Sequence, residues 1–255
     1  MNLIANSYQQ MHNTDSVAAI YKKTANIYIN MYGKDNPLSA QAYATLGQLY
    51  YNESNNNGLS NVEEKLFLAR DCFQTAITIR HKMAKGVKES LLNYSTLMWR
   101  FSLSNIYMKL NEIEEALNTI DEVISEFENL QNNNELADDY KEALKFCLLG
   151  CYMQKASMIE TTNDNIEEIA LLVNSECLIK EITLPNPYFD ETIPLMIKCK
   201  LAIANEKIGN TENALHYYKE TPNMITLDIQ NRYPQQCQGM KEYITTKIKE
   251  LSLKQ

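Results

Sequence analysis

The chain has 255 residues and a net charge of −8 at pH 7, with 45% hydrophobic and 22% charged residues. This acidic balance argues against nucleic acid as a partner, because phosphate binding needs a basic surface. Only seven Gly and six Pro are present, and long stretches rich in Leu, Ala, Glu and Lys favour helices over an all-β fold.

The sequence carries no recognisable targeting or membrane-spanning segment. No apolar run reaches the roughly 18 residues of a membrane span, which argues against direct membrane insertion. The N-terminal residues have neither the basic region and apolar core of a secretory signal nor the arginines of a mitochondrial transit peptide. The six cysteines are scattered and form no Cys-x-x-Cys pair. We therefore expect an intracellular protein, cytoplasmic or nuclear.

The first predicted helix covers residues 14–31. Its helical stripe consists of Val17, Tyr21, Thr24 and Tyr28. Gly33 is expected to end this helix in the left-handed conformation. Pro37 is expected to open the next one, where its missing N–H is not needed.

The most informative stretch is a predicted helical hairpin over residues 37–86. One face of its first helix carries Tyr43, Leu46, Gly47 and Tyr50, and the matching face of its second helix carries Ala69, Phe73 and Ala76. Because Gly47 has no Cβ and alanine is small, the two helices can approach closely at these positions. A polar loop with three consecutive Asn separates them.

These two half-motifs resemble the tetratricopeptide repeat (TPR), whose helices carry aromatic-x2-Leu-Gly-x2-Tyr and Ala-x3-Phe-x2-Ala. The run from Ala18 through YGKDNPLSAQAYATLGQLYYN is also similar to the repeats of kinesin light chain. The resemblance implies an all-α, right-handed superhelix of antiparallel hairpins. In that family, first helices line a concave groove that binds an extended peptide or a helix.

Three more hairpins are predicted, over residues 89–130, 135–182 and 188–221. We align the second helices of the repeats by the small residue of each, which gives Val17, Ala69, Ala116, Ala170 and Ala214. In the 135–182 hairpin, Leu149-Gly150 is taken as the Leu-Gly pair of the first helix. A final amphipathic helix, 234–252, is predicted to cap the stack, within a single domain of residues 1–255.

No motif indicates catalysis or metal binding. His12, His81 and His216 share no helical face, and Cys147 and Cys151 lie in an apolar run without neighbouring ligands. P-loop, Gly-x-Ser-x-Gly and His-Glu-x-x-His patterns are missing. We expect no enzymatic activity, no metal and no cofactor.

Two surfaces are candidates for protein partners, and the first is the concave groove. By their offset from Gly47, Ser104 and Ala202, the candidate groove residues are Ala44, Thr45, Gln48, Phe101, Ser102, Asn105, Cys199, Lys200 and Ile203. Asn105 falls where chaperone-binding relatives place an Asn, but Lys200 alone matches a cation of their carboxylate clamp. A helix or amphipathic segment therefore suits the groove better than a chaperone tail. The alternative is that these residues pack against a neighbouring helix.

The second candidate surface is the segment 112–140, which has ten acidic residues and no Lys or Arg. Its candidate contacts are Glu112, Glu115, Glu122, Glu126, Asp138 and Asp139. Such a block would attract a basic partner. The alternative is that it forms the solvated outer face of a helix.

Taken together, the sequence predicts a non-catalytic scaffold or adaptor, a subunit of a larger complex that binds a partner segment in its groove. The alternative is a TPR regulator that senses a peptide or ligand, and an α-helical enzyme with an unrecognised site is the third hypothesis. A small ligand would raise the melting temperature by mass action, whereas a scaffold should respond to a protein.

Overall fold

A computed structural model describes residues 14–33, 35–55, 61–83, 90–132, 136–182 and 190–253. Every regular element in those ranges is a helix, which confirms the predicted all-α class. The chain forms two compact units, Met1–Glu126 and Phe127–Gln255. The expected hairpins are seen as successive helices, and the single-domain organisation stays a prediction.

The helices of the first unit are α1 (Thr14–Tyr32), α2 (Pro37–Ser54), α3 (Val62–Met83), α4 (Ser90–Lys109) and the start of α5 (Ile113–Gln131). The turn from α1 to α2 is as predicted. Gly33 has φ +85° and donates its N–H to Ile29 O at 2.9 Å. Pro37 opens α2, and Asn36 caps it by accepting the N–H of Leu38.

The α2–α3 hairpin has the close helix approach predicted at Gly47. A Cβ built there would lie 3.0 Å from Phe73 Cδ2 and 3.2 Å from Ala69 O. Ala69, Phe73 and Ala76 are each at most 1% exposed. The small residues therefore set the distance between the two helices, and the ring of Phe73 fills the space beside them.

The helices of the second unit are the last turn of α5, α6 (Asp138–Ile159), α7 (Asn165–Glu181), α8 (Thr192–Lys207), α9 (Thr211–Glu220), a 3-10 helix (Thr221–Met224), α10 (Leu227–Arg232) and α11 (Pro234–Ser252). Ile244 and Leu251 of α11 are buried in one cluster with Leu215 and Tyr218 of α9. A capping helix would pack in this way, because it must cover the apolar side of the last hairpin.

Three hairpin turns share one geometry. The turn after each first helix contains a left-handed residue, Asn111, Asn163 or Gly209, with φ of 62°, 62° and 77°. Seven residues earlier stands a fully buried small side chain, respectively Ser104, Ala156 and Ala202. The second helix begins nine residues after that small side chain in all three hairpins. Asn and Gly occur at the turn because they adopt the left-handed conformation most readily.

This common geometry corrects the predicted register of the α6–α7 hairpin. Ala170 is exposed, and the buried residues of α7 are instead Glu168, Leu171, Leu172, Ser175 and Leu178. The small buried residue of α6 at the helix contact is Ala156, not Gly150. By the register of the other two hairpins, the residue of α7 opposite Ala156 is Glu168. The alignment on small residues was wrong here because a glutamate occupies the position that alanine holds at Ala116 and Ala214.

Candidate functional site

The predicted groove residues of the first unit lie on α2 and α4, which contact each other directly. Ala44 is 2% exposed and belongs to the hydrophobic core, so it is not a surface residue and the prediction is wrong for it. Thr45 lines a cavity of about 380 Å³ between α1 and α2. Gln48 is exposed, and Phe101, Ser102 and Asn105 are half-buried.

The polar groups on this surface are held along their own helices. Gln48 Nε2 donates to Asn52 Oδ1 at 2.9 Å, and Asn105 Nδ2 donates to Phe101 O at 3.3 Å. Each of these bonds joins an amide to a group one turn away on the same helix, and the side chain of Phe101 on α4 is half-buried. The result is a mixed apolar and polar surface, of the kind that accepts one side of an amphipathic helix. We call the side chains of Gln48, Phe101, Ser102 and Asn105 the α2/α4 surface.

A lysine connects α4 to the residue that follows α2. Lys109 on α4 forms a hydrogen bond with Asn55, next to the end of α2. Its ammonium also lies 5.2 Å from the centre of the Tyr51 ring, within the range of a cation–π contact. Burial raises the pKa of Tyr51 above its ordinary value, so the phenol stays neutral at physiological pH.

In the second unit, the predicted groove residues have partners inside the chain. Cys199 Sγ lies 3.7 Å from Met240 Sδ, and Ile203 packs against the buried cluster around Tyr218. Lys200 Nζ lies 2.9 Å from Glu160 Oε2. For Cys199 and Ile203, packing against neighbouring helices is therefore what the structure shows.

A group of four charged residues joins the α6–α7 and α8–α9 hairpins. Glu160 pairs with Lys200 and, at 3.5 Å, with Lys207, whose ammonium is 3.9 Å from Glu168. The hydrogen bond from Lys200 lowers the pKa of Glu160, whereas burial raises the pKa of Glu168. Since Lys200 is engaged here, it does not supply the cation that a C-terminal carboxylate clamp requires.

Other lysines of the second unit also connect helices. Lys198 on α8 lies 2.7 Å from both Glu176 on α7 and Glu220 on α9. Inter-helix ion pairs are formed by Lys145, Lys155, Lys198 and Lys247. Partly buried pairs of this kind hold neighbouring helices in register, because a lone buried charge is costly. Sequence spacing could not reveal them, since the partners are distant along the chain.

The acidic segment is partly neutralised by arginines from neighbouring helices. Arg100 of α4 pairs with both Glu122 and Glu126, and Arg70 of α3 pairs with Glu112 at 2.9 Å. Glu115 is exposed. The side chains of Asp138 and Asp139 lie outside the described residues. Half of the predicted acidic contacts are thus engaged within the chain, which weakens the attraction to a basic partner.

The described residues form no side-chain cluster suited to binding a metal ion. None of their His, Cys, Asp and Glu side chains gather in a group of three or more that could hold a metal ion. His216 lies 3.3 Å from Glu220, one turn away on the surface of α9. The six cysteines are free thiols. Nor does any helix within the described ranges have the length and apolar character needed to cross a membrane.

Comparison with known proteins identifies the fold alone. No family model and no curated protein matches the chain. The structure of a kinesin light chain from Podosopora anserina, with nearly identical TPR-like repeats, matches with TM-score 0.61 and 14% identity over 87% of this chain and 91% of that one. BtubC (BKLC) from P. vanneervenii gives TM-score 0.66 and 14% identity over 88% and 77%. RapI in its apo form gives TM-score 0.67 and 11% identity over 98% and 79%. This chain has the TPR-like helical repeat fold, as its repeats predicted.

Proposed function

We propose that this TPR-like repeat chain is a non-catalytic scaffold or adaptor that binds a segment of a protein partner as a subunit of a larger complex. The observation that carries the proposal is the accessible α2/α4 surface on first helices of the repeat fold. TPR-like repeats are typically protein-interaction modules. Protein partners are therefore the expected ligand class.

The chemistry of the surface selects the kind of segment. Phe101 offers a partly covered ring, and an apolar side chain placed on it would gain about 25 cal/mol per Å² of apolar area removed from water. The amides of Gln48 and Asn105 can bond to polar groups at the edge of such a contact. Because the four side chains of the α2/α4 surface carry no charge, a partner helix or amphipathic segment fits it better than a C-terminal carboxylate.

The test is affinity capture from the native cell, with partners identified by mass spectrometry, using wild type beside a Phe101→Glu, Asn105→Lys double variant. The expected result is a fixed set of partners that the variant loses. Direct binding of the purified partner to both forms then gives the affinity. Loss of a central aromatic contact typically weakens binding by about 2 kcal/mol or more.

The matched control is a Leu68→Glu, Asn30→Lys double variant, which makes the same charge changes at exposed positions of α3 and α1, outside both candidate surfaces. It should retain the partners. If both double variants bind like wild type, the α2/α4 surface is not the contact and the acidic surface around Glu115 is tested next. If all three forms capture nothing, the scaffold proposal is contradicted.

A regulator that senses a peptide or ligand is the second candidate. A cavity of about 560 Å³ beside α3, lined by Tyr43, Asp71 and Lys82 among others, offers a polar site for a small molecule. A thermal-shift screen separates the two functions, since a ligand at 100 times its Kd adds about 2.7 kcal/mol of stability. A shift with a metabolite, abolished by Lys82→Ala, would favour the sensor.

A further inference from the structure

A cavity of about 480 Å³ in the second unit is lined by residues from the last turn of α5, the middle of α6 and the second half of α7. The described residues that line it include the carboxylates of Glu128 and Glu181 and no Lys or Arg. The cavity is far larger than a water molecule, whose share of liquid volume is about 30 Å³, and falls in the roughly 300–1,000 Å³ range of ligand sites. Its charge favours a cationic occupant.

Glu128 is held at this cavity without a cation of its own. Tyr152 on α6 donates its hydroxyl to Glu128 Oε1 at 2.6 Å, and Glu128 forms no ion pair within the described part of the chain. Tyr152 is 8% exposed, and burial, followed by the effect of Glu128, raises the pKa of Tyr152 so that the phenol keeps its proton. The bond therefore orients the carboxylate, and Glu128 Oε2 is available to a ligand.

The two helix ends at the cavity add to its negative potential. Carbonyl groups at a helix C-terminus carry partial negative charge, which cations stabilise. In α7 the carbonyl of Glu181 accepts a hydrogen bond from Lys145 at 3.0 Å, and Lys145 Nζ lies 3.8 Å from the carboxylate of the same residue. The last turn of α5 has no basic residue. A cation is therefore attracted mainly to the α5 side of the cavity.

The rest of the lining suits a long side chain that is apolar along its stem and polar at its tip. Leu148 and Leu178 line the cavity and are 3% and 7% exposed. Gln131, Asn132 and Asn174 add amide oxygens. An arginine side chain matches both features, because its methylene stem packs on apolar surface and its guanidinium has five donors for several acceptors. A lysine ammonium has three donors and is more strongly hydrated.

We propose that this cavity, the α5/α7 pocket, binds an arginine side chain of a protein partner, with Glu128 and Glu181 pairing with the guanidinium and Leu148 and Leu178 contacting its stem. Arginine is enriched at protein interfaces, which favours a protein source over a free cation. The proposal adds a second contact to the proposed scaffold and rests on that function in requiring a protein partner. It is independent of the α2/α4 surface.

The test is a titration with two blocked tripeptides, acetyl-Ala-Arg-Ala-amide and its citrulline analogue, which has a similar shape without the charge. Cys177 lines the pocket and is exposed, so the rate at which N-ethylmaleimide modifies it reports occupancy. Mass spectrometry measures that rate. The arginine peptide should protect Cys177, and the citrulline peptide should bind at least about 5-fold more weakly, because both ion pairs are lost with the charge.

Two variants and two controls locate the binding. Glu128→Gln and Glu181→Gln should each weaken the arginine peptide about 3-fold, since each removes one ion pair. Glu242→Gln removes the same charge at an exposed position of α11, outside the pocket, and should bind like wild type. The Phe101→Glu, Asn105→Lys variant should also bind like wild type, so failure of the α2/α4 surface and failure of the pocket are distinguished.

Three results would overturn the proposal. The first is equal protection of Cys177 by the arginine and citrulline peptides, or protection by neither. The second is equal weakening by Glu128→Gln and Glu242→Gln, since the effect would then come from net charge. The third is protection by free arginine at lower concentrations than the arginine peptide, because the occupant would then be a small molecule.

Discussion

The backbone of Gly47 lies so close to the ring of Phe73 that a Cβ added at position 47 would stand 3.0 Å from Phe73 Cδ2. Gly47→Ala should therefore destabilise the chain. Over-packing a tight helix contact costs about 1–3 kcal/mol, against roughly 1 kcal/mol regained from helix propensity. The expected net loss is about 1 kcal/mol, measured by urea denaturation.

Gly239 provides the control for this substitution. It lies in α11, and an added Cβ would meet nothing within 4 Å. Gly239→Ala should raise the free energy of unfolding by about 1 kcal/mol through helix propensity alone. Equal stabilisation by both substitutions would show that the close approach at Gly47 does not limit packing.

The buried carboxylate of Glu168 should make stability depend on pH. Burial raises its pKa above 4.5, so the folded chain retains a proton that the unfolded chain releases as the pH rises through that window. Its contribution is therefore most favourable at low pH and is lost as the pH rises through the raised pKa. The neighbouring charges of Glu160, Lys200 and Lys207 also affect the pKa of Glu168.

Glu168→Gln removes this titration. The stability of the variant relative to wild type should increase from pH 3 to pH 7, because only wild type meets the cost of the buried charge at neutral pH. Chemical denaturation of both proteins at the two pH values measures this difference. Glu242→Gln, at an exposed position of α11, should change stability by less than about 0.5 kcal/mol at either pH. A relative stability that falls towards pH 7 would contradict the raised pKa.

The left-handed turn at Asn163 should tolerate glycine but not alanine. Its φ is 62°, where a Cβ costs about 1–2 kcal/mol and Asn is among the better tolerated residues. Asn163→Ala should lose about 1 kcal/mol of stability, whereas Asn163→Gly should be close to neutral. Thermal unfolding measures both, and Asn118→Ala on the surface of helix α5 is the control. Equal stability of the Ala and Gly variants would contradict the assigned turn.

The six thiols should differ in reactivity. Cys177 is exposed, whereas Cys151 is buried and burial raises the pKa of the half-buried Cys72 to about 11. Since the thiolate is the reactive form, a maleimide at pH 7.5 should label Cys177 first. Time-resolved mass spectrometry measures the order, and Cys177→Ser should remove the fastest site. Labelling of Cys72 at the same rate would contradict this prediction.

Local sequence patterns determined the helices of this protein and most of its hairpins. Gly33 and Pro37 identified the first turn, and Gly47 with Ala69 and Phe73 identified the closest helix contact. These signals succeed because they depend on backbone conformation and on side-chain size within one hairpin. They failed at Ala170, because the buried position of α7 is held by Glu168, whose carboxylate lies 3.9 Å from the ammonium of Lys207 in another hairpin.

The candidate surface depended far more on tertiary structure. The offsets along α2 and α4 located Gln48, Phe101 and Asn105, but burial removed Ala44, and Lys200 proved to be paired with Glu160. The acidic segment likewise has no cation of its own, and Arg70 and Arg100 reach it from other helices. A charge is neutralised by whatever lies near it in space, so only the packed structure decides which charged groups remain for a partner.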